Sequence, residues 1–65
     1  MTVQNIIDLM FNKNQTIRIE NQSGDTLIFN AAINVDNEIS QLEVVGIGMY
    51  NYIFTIVVNR DGDMK

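Results

Sequence analysis

The stretch "VVGIGMYNYIFTIVV", Val44 to Val58, decides the fold: it is an apolar run without one charged side chain. A membrane-spanning helix needs about twenty apolar residues. This run is shorter and carries two glycines, an asparagine and two tyrosines. β-Branched and aromatic residues dominate it, and Tyr50-Asn51 can turn the chain. It reads as two strands, Leu42–Met49 and Tyr52–Asn59, joined as a hairpin.

Strand parity then sorts its side chains onto two faces. One face carries Val45, Ile47, Met49, Tyr52, Phe54, Ile56 and Val58, bulky enough to form a core beneath a helix. The other carries Leu42, Val44, Gly46, Gly48, Ile53, Thr55 and Val57. An antiparallel sheet with one wet face alternates hydrophobic and polar residues, and this hairpin does not. A second apolar face points to assembly. Ile28, Val44, Ile53, Thr55 and Val57 are the expected interface of a homo-oligomer, with a two-fold dimer as the default form. The alternative is a monomer whose second face is partly covered by "AAINVDNEIS", residues 31–40.

Upstream, Thr2 to about Asn12 reads as an amphipathic helix. Val3, Ile6, Ile7, Met10 and Phe11 fall on one side, with Gln4, Asn5, Asp8 and Asn12 on the other. Thr2 suits the N-cap. Such a short helix does not persist alone in water, so it must dock. "QTIRIEN" and "TLIFNA" each alternate, and Gln22-Ser23-Gly24 suits a three-residue hairpin loop. The register expected from that loop sets Ile19 against Leu27 and Ile17 against Phe29. A two-residue loop would instead set Ile19 against Ile28. Asp36 to Ser40 reads as one helical turn or a loop. Together these elements predict an α+β fold: an N-terminal helix packed on a four-stranded antiparallel β-sheet, in the order α-β-β-β-β. Residues 1–65 form a single small domain, with 59–65 a frayed tail.

A chain of 65 residues buries only about 60% of its extended surface, so its stability is marginal. Small domains usually add disulfides, a metal or a partner subunit. The absence of cysteine and histidine removes disulfides, thiolate zinc sites and the usual general base. Oligomerisation is the staple that remains. Four basic residues against eight acidic ones give a net charge of −4, which repels phosphate backbones. "MTVQNIIDLM" lacks a basic region followed by an apolar stretch, so no signal peptide is expected, and the expected compartment is the cytoplasm of a bacterial host. Asn14-Gln15-Thr16 and Asn21-Gln22-Ser23 fit the glycosylation pattern, but without a secretion signal they read as chance matches.

Catalytic and cofactor chemistry is sparse. Ser23 and Ser40 fall in expected turns with no histidine to activate them. Gly46 and Gly48 lie inside a strand rather than before a helix, so they form no phosphate loop. Asn59, Asp61 and Asp63 alternate like the start of a calcium loop, but the required glycine and terminal glutamate are missing. No catalytic, cofactor-binding or metal residue is expected, and the chain reads as a non-enzyme. Arg18, Tyr50, Tyr52 and Arg60 are the candidate contacts should the sheet bind nucleic acid, by base stacking beside basic side chains.

The opening "TVQNIIDLMFNKNQTIRIENQSGD" resembles short proteins of phages and mobile elements in low-GC bacteria, in which an amphipathic helix leads through a Lys/Asn turn into a hairpin. Proteins of similar size, acidity and layout include anti-CRISPR inhibitors of type II systems. The resemblance covers about twenty-five residues and carries over no functional residue. The chain departs from nucleic-acid mimics because its acids are dispersed, at Asp8, Glu20, Asp25, Asp36, Glu38, Glu43, Asp61 and Asp63. The function expected is that of a non-enzymatic interaction protein acting on a host protein target. The alternatives are a nucleic-acid-associated sheet dimer and an antitoxin or accessory protein of a two-gene operon.

Overall fold

The computed structural model describes residues 1–60. The chain folds as α1 (Val3–Leu9), β1 (Thr16–Asn21), β2 (Thr26–Ala31), a 3-10 turn (Ala32–Asn34), α2 (Asn37–Ser40), β3 (Val44–Tyr50) and β4 (Ile53–Val58). The fold is α+β with one four-stranded sheet, as expected, but the sheet is mixed rather than antiparallel, and α2 between β2 and β3 breaks the expected α-β-β-β-β order. Its strand order is β2-β1-β4-β3, and the central strands β1 and β4 run parallel. Each hairpin is antiparallel within itself. The segment from Ala32 to Glu43 is long enough to carry the chain across the sheet, the kind of crossover that a tight turn cannot make.

Helix α1 starts where the sequence says it should. The Thr2 hydroxyl accepts from the Asn5 N–H at 3.4 Å and the Asn5 carboxamide accepts from the Thr2 N–H at 2.8 Å, a capping box. Val3, Ile6 and Ile7 are buried. The helix ends at Leu9, earlier than the periodicity predicts, and Met10 turns extended. Phe11, expected on the apolar face, is therefore fully exposed.

The core is a single layer between the sheet and its two helices. Ile17, Ile19, Ile56 and Val58 from the central strands are wholly buried with Val3, and Ile6, Ile7, Ala32 and Ile39 complete the cluster. Ala32 and Ile39 belong to the crossover, so residues 31–40 cover the same face as α1 and not the opposite one. Asp36 caps α2, its carboxylate accepting from the Ile39 N–H at 2.9 Å.

Both hairpins contain a β-bulge, and each bulge corrects the expected parity. In the first, Ile19 pairs with Ile28, Glu20 pairs with Thr26, and Leu27 is the extra residue. Ile17 pairs with Asn30 and Arg18 with Phe29, so the register predicted from the three-residue loop is not the one adopted. The bulge lets two successive residues, Leu27 and Ile28, both pack against the core. In the second hairpin Val44 pairs with Val58 and Gly46 with Val57, leaving Val45 as the extra residue. Val44 thereby joins the helix side with Val58, while Ile47, Met49, Phe54 and Ile56 keep the face assigned to them.

The turns follow from local chemistry. Asn21 is 1% exposed, and its side-chain oxygen accepts from the Ser23 and Asp25 N–H groups at 3.0 and 2.9 Å. That arrangement closes the first hairpin, with Gly24 at φ +92°, and leaves the Asn21 amide inaccessible to a glycan. The second hairpin turns on Asn51 and Tyr52, at φ 51° and 67°, one residue beyond the expected Tyr50-Asn51. Two successive positive φ angles define the type I′ turn that matches strand twist. Among the described residues no helix is long and apolar enough to cross a membrane.

Candidate functional site

The sheet's open face, opposite the helices, is not the smooth apolar surface the sequence predicts. Because β1 is central, Arg18 and Glu20 stand in the middle of that face beside Thr55 and Val57 of β4. The Arg18 guanidinium lies 5.4 Å from the centre of the Phe29 ring and 5.5 Å from that of Tyr50. It also pairs with Glu20 at 3.5 Å. Arginine stacked on aromatic rings shields their faces while its charge is neutralised by the neighbouring carboxylate. Of the five residues expected at an oligomer interface, Ile53, Thr55 and Val57 share this face. Ile28 and Val44 do not: both pack against the helix-side core. Thr55 is itself buried.

The four candidate nucleic-acid contacts are not gathered either. Arg18 and Tyr50 meet, but on each other. Tyr52 is 95% exposed at the tip of the β3–β4 turn. Arg60 follows the far end of β4 and lies 3.8 Å from Glu38. Among the described residues no group of three carboxylates is close enough to hold a metal ion.

The surface that sequence parity did not single out lies on the helix side, along β3. Strand β3 is an edge strand, and the short helix α1 does not reach over it. Ile47 and Met49 remain 59% and 67% exposed although they share the core face. Leu9 and Phe11, at and just beyond the end of α1, are exposed beside them. One groove of about 430 Å³ is lined by Ile6, Leu9, Val44, Val45 and Ile47. A second, of about 330 Å³, is lined by Met10, Phe11, Gln15, Met49 and Phe54. The two share strand β3, so they form one apolar strip. The periodicity, which extends the helix to Asn12, hid this surface: the seven-residue helix that forms spans about 10 Å, roughly two strand spacings of a four-stranded sheet.

No protein-family model, no curated protein and no solved structure matches the chain.

Proposed function

We propose that this chain is a non-enzymatic interaction protein that binds a protein partner through the apolar strip where α1 ends beside β3. The observation that carries this reading is the exposure of Leu9, Val45 and Ile47 along one groove and of Phe11 and Met49 along a second, both bordered by β3. Contiguous exposed apolar surface of this kind marks interaction sites in soluble proteins. Leu9 and Phe11 contribute little to the domain's own core, so folding alone gives them no reason to be apolar.

The resemblance of the first twenty-five residues to mobile-element proteins directs the choice of partner to a host defence complex, a type II CRISPR nuclease being the first to test, in the bacterial cytoplasm. Co-expression of the chain with such a nuclease in a plasmid-interference assay should protect the plasmid, and the two proteins should co-purify. The double variant Leu9→Glu/Phe11→Glu should keep the circular dichroism of the wild type and lose both effects. Absence of protection and of co-purification by the wild type would count against this partner.

A further inference from the structure

We infer that the outer edge of β3 pairs with the same edge of a second copy, across a two-fold axis at Gly48. This inference goes beyond the proposed protein partner: it concerns the backbone edge of β3 and shares Ile47 and Met49 with the apolar strip.

The argument starts from backbone groups. In an antiparallel pair, alternate residues direct their N–H and C=O toward the partner strand. The type I′ turn makes Tyr50 and Ile53 a hydrogen-bonded pair, so Gly48 and Gly46 also bond to β4 and the backbone groups of Ile47 and Met49 point outward. The first part of the edge is already occupied: the Val44 N–H donates to Met1 O at 2.8 Å, and the Val3 N–H donates to Leu42 O at 3.1 Å. The bulge at Val45 interrupts the edge next. From Gly46 to Tyr50 no described strand pairs with it. That segment has no charge and no proline, the devices that usually protect an edge. The opposite edge is better defended. It has its own bulge at Leu27, and the outward Ala31 N–H donates to the Asn30 side chain at 2.7 Å.

A dyad at Gly48 uses the whole unprotected segment. Ile47 then faces Met49 of the second copy and exchanges two hydrogen bonds with it, and the symmetric pair exchanges two more. On the helix side these pairs bring Ile47 and Met49 of both copies together between the two α1 helices. On the open face Tyr50 stands opposite Gly46 of the second copy. Nothing lies within 4 Å of a Cβ built at Gly46 or Gly48, so no side chain blocks the approach of the second copy on this face. A larger residue at either position would fill that space. Neither copy brings a charged side chain from the paired segment, so the like net charges are not forced together. Ile47, Met49 and Tyr50 are the large apolar side chains of the paired segment; at on the order of 100 Å² each, two copies together remove roughly 600 Å² from water. That is a small interface, held chiefly by the four edge hydrogen bonds, so the dimer forms reversibly and only as concentration rises.

The chain lacks cysteine, which makes cross-linking a clean test. In the inferred dimer Gly48 faces Gly48 as a non-hydrogen-bonded pair, with Cα atoms about 4.5 Å apart, within the range a disulfide spans. Gly48→Cys should therefore form a disulfide-linked dimer under mild oxidation, and Gly46→Cys, which faces Tyr50, should not. Sedimentation equilibrium of the wild type should show a concentration-dependent shift from one chain mass to two, and Met49→Lys should remain monomeric with unchanged circular dichroism. Wild type that stays monomeric at several hundred micromolar would overturn the inference, as would equal cross-linking of the two cysteine variants. A monomeric wild type that still protects plasmids would overturn the dimer and leave the proposed function standing. A dimer that protects nothing would do the reverse.

Discussion

Asn21 shows how one polar side chain can set a hairpin. It is buried at the end of β1, and its single side-chain oxygen serves two backbone donors of the turn. Asn21→Ala leaves those donors without their acceptor in a partly buried turn, at a cost of about 1 kcal/mol. Urea denaturation should show that loss; an unchanged midpoint would mean that solvent replaces the carboxamide. Ile56 acts by volume instead. It is wholly buried and pairs with Ile19 on one side and Ile47 on the other. Ile56→Ala should cost about 2–5 kcal/mol, against a total of roughly 3–10 kcal/mol for a chain of this size. Thermal melting should find that variant partly unfolded at room temperature, whereas a melting point near that of the wild type would contradict the single-layer core. Both residues were legible in part. The alternation around Ile17 and Ile19 marked a buried strand face, but Asn21 read only as the end of that strand and a chance glycosylation match, because residue pattern has no sign for a polar side chain that caps its own turn.

At the scale of elements, the β3–β4 turn places Tyr52 at φ 67°, where an L-residue other than glycine or asparagine is disfavoured by about 1–2 kcal/mol. The side chain is almost fully exposed, so it recovers little of that by burial. Tyr52→Gly creates the Asn-Gly pair that type I′ turns prefer. Part of the gain is offset by the greater freedom of glycine in the unfolded chain. The expected outcome is a rise in stability of up to about 1 kcal/mol, read by thermal melting; destabilisation would show that the tyrosine ring makes a contact worth more than the strain. The hairpins themselves, the helix start at Thr2 and most of the β3–β4 parity were readable because they depend on nearest neighbours along the chain. The two bulges were not. In the first, two consecutive apolar residues, Leu27 and Ile28, both pack on the core, and simple alternation has no place for a second one; in the second, the extra residue Val45 lets Val44 join the core while Val45 itself stays exposed. Strand order was also beyond local pattern. The long connection from Ala32 to Glu43 was compatible with a crossover, yet nothing in β1 or β4 alone says that they lie side by side.

For the whole molecule, adjacency of the two central strands decides where function can lie. It puts Arg18 and Glu20 in the middle of the open face, and charged residues are depleted from the cores of protein interfaces. It leaves β3 at the edge, beyond the cover of a short helix, with its apolar residues exposed. The expected interface was therefore placed on the face that carries the charges, and the more apolar surface lies around the edge. Net charge adds a further consequence. Two chains of charge −4 repel at long range, and salt screens that repulsion over about 8 Å at physiological strength. Self-association through an uncharged edge should therefore tighten as salt rises; sedimentation equilibrium at low and high salt would show it, and weakening by salt would indicate an ionic interface instead. The most direct test is amide hydrogen exchange at Ile47 and Met49, followed by NMR at low and high protein concentration. The account predicts fast exchange at both amides in dilute solution, with Gly46, Gly48 and Tyr50 protected by β4, and protection of Ile47 and Met49 appearing as concentration rises. Exchange at those two amides that stays fast at every concentration would contradict it.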